Sequence, residues 1–442
     1  MKNLTKKSHY DTIIVGSGPA GLGAAFKIAE NSDKSVLLIE KKKISSGGLR
    51  NDCKQNYTFP VGFPFEYWTK EEAEELLEEV KNHLNPNIEK RFNIQKYAKR
   101  AKKIDVKILS IDQAHVGTDK SSALIASLIK RLEALHVEVA LKTEVEKVLS
   151  DKKEIVLAGG YTVSFENLIL APGRADYSWL QDQLNTLGVE YHDNIVDIGI
   201  RVETKEEFYP IVKDYYDPKI LFPNKVRTFC TNSGNAHIVR EKYKDYYSVN
   251  GHSLSKESKP NGLVNFALLK TIRLTEPIVS GQQFGTILGR MVMQLSGGSV
   301  IMQRVGDFRL GSRSKKETFN SDLYDFKPTL KSAVAADLSL SMPAKILRDI
   351  WKALKMLDTI IPGVLHPSTI LYYPEIKTYS NKPKFINKNF MVKEGYYIIG
   401  DAAGTSRGIT AAWASGIRAA NGILSKHTFF SKSPTSRSFK GL

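Results

Sequence analysis

The chain has 442 residues, 42% of them apolar and 25% charged, the balance of a globular fold large enough for two domains. Two cysteines exclude a disulfide framework or a CxxC redox pair, and no run approaches the roughly 18 apolar residues of a membrane-spanning helix. The net charge of +17 leaves a polyanion partner open, through the lysines at 41–43 and the cluster at 96–103, although acidic residues at 71–79 interrupt the basic stretches.

The lysine-rich start, residues 1–10, precedes a glycine-interrupted strand and is not read as a signal peptide; with so few cysteines, a reducing, cytoplasmic location is expected. Thr12-Ile13-Ile14-Val15 reads as an apolar strand running into Gly16-Ser17-Gly18-Pro19-Ala20-Gly21 and an alanine-rich helix. Gly16 permits the tight turn, Gly18 lets backbone approach a pyrophosphate, and Gly21 lets the helix, with Pro19 and Ala20 in its first turn, pack on the sheet with its positive end toward phosphates. A second strand, 35–39, ends in Glu40, placed for ribose hydroxyls. Lys41 and its neighbours raise the question of a 2′-phosphate, which the Glu40 carboxylate would repel.

A glycine and aromatic loop is expected over 45–68 and an acidic amphipathic helix over 71–84. A strand and turn follow at 106–116, then a helix over 119–135 capped by Thr118 or Asp119. Strands are expected at 136–141 and 143–149, and two short ones at 154–157 and 161–164. Leu168-Ile169-Leu170 ends in the turn Ala171-Pro172-Gly173-Arg174, with Gly173 allowing close backbone approach. Arg174 is aimed at a cofactor or substrate, or is a solvent-facing turn residue. From 176 to 385 aromatic and β-branched strands alternate with loops, at 196–203, 228–230, 246–249 and 262–269, with helices at 281–295 and 343–357.

The C-terminal part returns to nucleotide character. Tyr396-Tyr397-Ile398-Ile399 reads as a strand, followed by Gly400-Asp401-Ala402-Ala403-Gly404 and a small-residue helix. Two glycine anchors at opposite ends of the chain point to FAD, whose length calls for both. Asp401 is placed to accept from the ribityl chain. Gly404, Gly408, Ile409 and Thr410 bring a helix N-terminus toward the flavin's pyrimidine edge, where N–H groups stabilise the reduced ring. Gly48, backbone near Val145 (beside the adenine), Ala171 and Gly400 complete the expected cofactor contacts. The fold class is therefore α/β: a doubly wound, Rossmann-like FAD-binding domain (1–175 and 386–426), an inserted α+β substrate domain (176–385) and a frayed tail (427–442).

The chain resembles the uncharacterised FAD-dependent dehydrogenases related to glutathione-reductase-type flavoproteins, nearly end to end. Besides the fingerprint, the resemblance is carried by Gly47-Gly48 with Asn51-Asp52, His115-Val116-Gly117-Thr118-Asp119, Ala171 to Arg174, and Asp197-Ile198-Gly199-Ile200-Arg201-Val202-Glu203. It continues through Arg227-Thr228-Phe229-Cys230, Asn250-Gly251-His252-Ser253, Asn265-Phe266-Ala267, Gln303-Arg304-Val305-Gly306-Asp307-Phe308, and Gly400 to Ile409. It implies bound FAD and a redox role but supplies no substrate. Many relatives have a second cysteine and a Pro-Gly-Gly turn after the Arg-Thr-Phe-Cys run. Here Cys230 is followed by Thr231-Asn232-Ser233-Gly234, so a dithiol mechanism is not expected, and Cys230 reads as a buried small residue.

For the chemistry, Asn250-Gly251-His252-Ser253 reads as a polar loop presenting His252 as acid or base, with Asn250 beside it. Arg201, next to Glu203, holds an acidic substrate or forms a structural ion pair. Asn51 and Asp52 approach the flavin from the nucleotide side, and no metal site is read. No second GxGxxG follows a strand between 176 and 385, so reducing equivalents come from transient NADH or NADPH, a protein donor, or the substrate. The expected function is hydride transfer between flavin N5 and that substrate. A flavin-dependent nucleic-acid-modifying enzyme and a non-catalytic redox-sensing flavoprotein stay open as alternatives.

Overall fold

The computed structural model describes residues 5–44, 48–320, 324, 326–378 and 381–430. Gly47, the first four residues and the 431–442 part of the expected tail lie outside them. Two sheets organise the chain, and each follows from a different sequence pattern.

The first is built from short runs that are apolar on both faces, the composition of a parallel sheet covered on two sides. His9–Val15 lies at its centre, parallel to Val36–Glu40 on one side and to Tyr161–Leu170 on the other. Glu138–Leu141 extends one edge, and Tyr396–Ile398 the other, both parallel. The C-terminal strand thus closes a sheet begun by the N-terminal one. Helices Pro19–Asn31 and Ile409–Phe430 then pack directly on each other. A Cβ at Gly23 would lie 2.3 Å from the Trp413 carbonyl oxygen, and one at Gly416 would lie 2.0 Å from that of Ala20. Reciprocal glycines therefore let the two backbones touch, and this contact brings both ends of the chain to one place.

The second sheet has eight strands, in the order Val334–Ala335, Ile301–Arg304, Ile370–Thr378, Ile195–Lys205, Leu263–Arg273, Val226–Asn232, Lys219–Phe222 and Lys107–Leu109. All pairs but the first are antiparallel. Strand Ile195–Lys205 shows how it is built. Its residues Val196, Ile198, Ile200 and Val202 join an apolar core with Ile350, Leu354 and Leu357 of helix Ala344–Ile360. The alternate positions Asp197, Arg201 and Glu203 are equally buried, so each must find a charged or hydrogen-bonding partner. Over that polar face lies the hairpin of Ala236–Lys242 and Tyr247–Ser253.

Several elements differ from expectation. The helix expected over 119–135 spans Thr118–Ala134 and has Gly117, not Thr118 or Asp119, at its N-cap. Both side chains are drawn elsewhere, Thr118 to Asn51 and Asp119 to Ser255. The 161–164 and 168–170 stretches are one strand, Tyr161–Leu170. The loop expected over 45–68 contains the helix Gly48–Asn51 and strand Lys54–Asn56. The Asn250–Ser253 loop is the end of strand Tyr247–Ser253. Helix Ile409–Phe430 runs past 427, where fraying is expected. Strand Lys107–Leu109 leaves the N-terminal part of the chain to edge the second sheet. Among the described residues, no helix is long and apolar enough to cross a membrane.

Candidate active site

A cavity of about 570 Å³ lies between the two sheets and is walled by both glycine segments. Gly16, Gly18, Pro19 and Ala20 line it from the N-terminal end, and Gly400, Asp401, Gly408 and Ile409 from the C-terminal end. Glu40, Lys41, Gly48, Val145, Ala171, Gly173 and Arg174 also line it, so most of the expected cofactor residues converge here.

Three do not face the cavity. Gly21 packs behind the fingerprint, where a Cβ would lie 1.9 Å from the Gly16 carbonyl oxygen. Gly404 closes the turn after Asp401 in a left-handed conformation. The Thr410 hydroxyl donates to the Asn56 carbonyl at 2.5 Å. Each shapes the wall without forming it.

The walls suit a dinucleotide. Gly16 has φ +104°, and a Cβ there would meet the Ala171 carbonyl oxygen at 2.2 Å, so only glycine fits between strand and return turn. A Cβ at Gly18, Gly173 or Gly408 would meet nothing within 4 Å. Two of these, Gly18 and Gly408, immediately precede the long helices. No side chain caps helix Pro19–Asn31 and no acid sits in its first turn, which leaves its N-terminal N–H groups for an anion. These open surfaces are where a bound pyrophosphate and flavin would take up room that the protein leaves.

The charged groups are individually held. Glu40 accepts from the Ser17 hydroxyl at 2.8 Å and the Lys42 N–H at 2.9 Å, which fixes its carboxylate at the strand end. Lys41 pairs with Asp176, and both line the cavity. Asp401 accepts from the Gly408 N–H at 3.2 Å and the Ser406 hydroxyl at 3.1 Å. The Arg174 Nε lies 3.8 Å from its Oδ2, so Arg174 faces the cavity and is not a solvent-facing turn residue. Burial pushes the Asp401 carboxyl up, and Arg174 reverses only part of that.

The opposite wall is the hairpin and the helix Gly281–Ser296. Val239, Glu241, Tyr246 and Asn250 line it, with Gln282 and Thr286. Burial would raise the Glu241 carboxyl, but Lys377 at 2.9 Å, together with Arg174 and Arg201, outweighs it and holds the pKa down to about 2. Sequence reasoning missed strand Ala236–Lys242, whose adjacent Ile238 and Val239 are followed by three consecutive charged residues. With no regular alternation, nothing local marks it as a half-covered strand.

Asn250 lines the cavity, whereas His252, two residues further along the same face of strand Tyr247–Ser253, is not among its lining residues. His252 is the cross-strand partner of His237, and their rings lie 5.7 Å apart. Burial, with His237 nearby, lowers the His252 pKa below its usual value despite the opposing effect of Asp52. Its Nδ1 lies 3.0 Å from the Thr118 hydroxyl, which donates to the Asn51 carbonyl. With that single hydroxyl proton committed, Nδ1 is the donor, and the neutral ring keeps Nε2 as its acceptor. Asn51 lines the cavity; Asp52 points away from it.

Arg201 is a correction. Its side chain is fully buried and does not line the cavity. Nε and Nη2 donate to Glu375 at 2.7 and 2.8 Å, while Nη1 donates to Asn265 at 2.9 Å and the Cys230 carbonyl at 3.0 Å. A strand with Arg at a buried position needs such a bidentate partner, so the structural ion pair is the arrangement adopted. Nη2 also reaches the Asn250 Oδ1 at 3.5 Å. That oxygen further accepts from the Gly251 N–H at 2.9 Å, which leaves the Asn250 NH₂ as the group to offer the cavity. Gly251 is required beneath it, since a Cβ would lie 2.4 Å from Arg201 Nη1.

A buried polar cluster, unforeseen in the sequence, ties the first segment to the second sheet. Lys54 lies 3.3 Å from Asp52 and 3.8 Å from Asp217, and His115 Nε2 is 2.6 Å from Asp52. Burial disfavours the charged Asp52, but Lys54 and His115 prevail and hold its carboxyl well below the usual range. Cys230, expected to be buried, is only half-buried, at a strand irregularity with φ +47°. Its Sγ is 3.8 Å from Lys54 Nζ. Both cysteines are free thiols.

Residues 10–197 match the family model of the pyridine nucleotide-disulphide oxidoreductases, a stretch holding the fingerprint, Glu40 and the return turn. No curated protein matches the chain in sequence. Among solved structures, the p-nitrophenol 4-monooxygenase PnpA from Pseudomonas putida DLL-E4 is 12% identical over 96% of this chain and 82% of its own, with a TM-score of 0.42. Glycine oxidase from Bacillus cereus ATCC 14579 is 13% identical over 98% of this chain and 100% of its own, with a TM-score of 0.41. The L-amino acid deaminase from Proteus myxofaciens, solved with anthranilate, is 14% identical over 95% and 91%, with a TM-score of 0.43.

Proposed function

We propose that this FAD-dependent oxidoreductase exchanges a hydride with a substrate held between the flavin and the hairpin wall, with His252 as its acid or base. The observation that carries the reading is the convergence of both chain ends on one cavity whose third wall is polar. FAD bound there supplies the hydride acceptor or donor at N5.

The protein's own groups then have separable tasks. The N–H groups at the start of helix Pro19–Asn31 and the fixed Glu40 hold the dinucleotide end. Asp401 and the start of helix Ile409–Phe430 hold and polarise the flavin end. Arg201 positions Asn250, whose NH₂ orients the substrate. Thr118 fixes the His252 ring so that Nε2 takes a proton when substrate is oxidised and returns it when substrate is reduced. The burial that depresses its pKa keeps the imidazole neutral and ready as a base at neutral pH.

We assign 1–175 and 386–426 to FAD binding and 176–385 to substrate binding. The parallel and antiparallel sheets support that division, apart from strand Lys107–Leu109. The resemblance to the FAD-dependent dehydrogenases supports the same reaction class. The test is the anaerobic bleaching of bound flavin by NADH, NADPH and a panel of reduced organic donors, comparing wild type with His252→Asn. A donor that bleaches wild type at a rate rising with pH through the His252 pKa, with that dependence absent in the variant, supports the assignment. An unchanged pH profile in His252→Asn overturns it.

A further inference from the structure

Single exposed apolar side chains are normal on a folded surface. Five of the thirteen found among the described residues instead fall within 278–295: Ile278, Val279, Ile287, Met291 and Leu295. Ile287, Met291 and Leu295 follow each other at four-residue spacing on helix Gly281–Ser296, a ridge about 12 Å long at 1.5 Å rise per residue. The same helix buries Gly285, Leu288, Gly289 and Val292 on its inner side. It therefore has an apolar face toward the protein and a second one facing outward. Ile278 and Val279 stand exposed just before its first turn.

The surroundings of this ridge are basic. Arg290 lies on the helix itself, paired with Asp245 at 3.1 Å. The Tyr246 ring packs where a Gly289 Cβ would be, which brings the exposed hairpin turn with Lys242 and Lys244 alongside. Arg273 pairs in register with Ile195, against which Gly281 packs, and so flanks the helix start. Against these four cations stand Asp245, Glu276 and Asp193, which accepts from Ser280 at the helix start, on a chain carrying +17 overall.

We propose that this outward face of helix Gly281–Ser296, with Ile278 and Val279, docks on an anionic lipid bilayer. An apolar ridge between basic side chains is the composition of an interfacial helix, in which burial in the acyl boundary and attraction to anionic headgroups act together. A second copy of the chain fits the face less well. A two-fold interface would set each set of cations against its own counterpart. Gln282 and Thr286 of the same helix line the flavin cavity, so docking places one wall of that cavity at the lipid surface. The inference rests on surface composition and is independent of the acid-base assignment.

The test is co-sedimentation of the FAD-loaded protein with vesicles of phosphatidylcholine alone or of an equal mixture of phosphatidylcholine and phosphatidylglycerol. Wild type is expected to bind the mixed vesicles and to be released by salt. The combined Ile287→Ser, Met291→Ser and Leu295→Ser variant should bind them about tenfold or more weakly, three apolar side chains being lost from the boundary. These side chains are exposed, so flavin content should hold. Lys242→Glu with Lys244→Glu leaves the ridge intact and should remove the preference for phosphatidylglycerol. Wild type remaining in the supernatant with mixed vesicles, or equal binding by the serine variant, overturns the proposal. So does a wild-type dimer that the serine variant converts to monomer while neither binds vesicles.

Discussion

Arg174 and Asp401 lie side by side on the cavity wall at 3.8 Å, the first from the turn after strand Tyr161–Leu170, the second from the turn after Tyr396–Ile398. The two strands are parallel neighbours, so their ends emerge side by side although they are far apart in sequence. Asp401 also takes the N–H of Gly408, just before helix Ile409–Phe430. Replacing Asp401 with Ala removes that acceptor and the charge beside Arg174. FAD affinity should fall about tenfold or more, the equivalent of roughly 1.4 kcal/mol, with the far-ultraviolet circular dichroism unchanged. Asp401→Asn keeps an acceptor and should fall between the two. Full flavin occupancy in the alanine variant would remove Asp401 from the site.

The glycines of the first helix separate cofactor binding from folding. A Cβ at Gly18 meets nothing within 4 Å, whereas one at Gly23 meets the Trp413 carbonyl oxygen at 2.3 Å. Gly18→Ala should leave apoprotein stability nearly unchanged and weaken FAD binding. Gly23→Ala should cost about 1–3 kcal/mol of stability by overpacking and disturb FAD only through the fold. Denaturant melts of apoprotein, set beside FAD titrations, read both effects.

Arg201 and Glu375 are both fully buried and bidentately paired. Arg201→Ala strands a buried carboxylate and should cost about 3–5 kcal/mol. The double change Arg201→Met with Glu375→Met should recover much of that loss. Urea unfolding of the three proteins decides the point. An Arg201→Ala protein as stable as wild type but with weakened substrate binding would restore the substrate-holding role.

His83 gives the fold an acid-sensitive point. Its ring packs 4.8 Å from Phe26 and 5.6 Å from Trp413. Burial, with Arg131 and Lys27 nearby, holds its pKa down to about 4. An unfolded histidine titrates near about 6.5, so the unfolded chain takes the proton first as pH falls. The neutral-ring stability is therefore complete above roughly pH 6.5 and declines until about pH 4, by about 3 kcal/mol in all. Urea midpoints of wild type and His83→Leu at pH 7 and pH 4.5 test this. The wild type should lose more stability between the two than the variant.

How much of this was legible depends on the range of the interactions. The fingerprint, Glu40 and the Gly400–Gly404 turn were readable because strand, turn and helix lie within a few residues, each with its own composition signal. His252 was misplaced onto a loop because Asn250-Gly251 resembles a turn. The glycine is instead required by the Asn265, Arg201 and Asn232 side chains packed beneath the strand. The Arg201–Glu375 and Lys54–Asp217 pairs join positions more than 100 residues apart, and no local pattern announces such partners. Thr118 looked like a helix cap because its position fits one; its hydroxyl is claimed by Asn51 and His252.

The most direct test of the central claim is the visible spectrum of the purified protein, reconstituted with excess FAD, gel-filtered and then titrated anaerobically with electron donors. One flavin retained per chain, bleached by at least one donor and restored by an oxidant, is the expected result. A colourless protein that retains no FAD, or a bound flavin that no donor reduces, would contradict it.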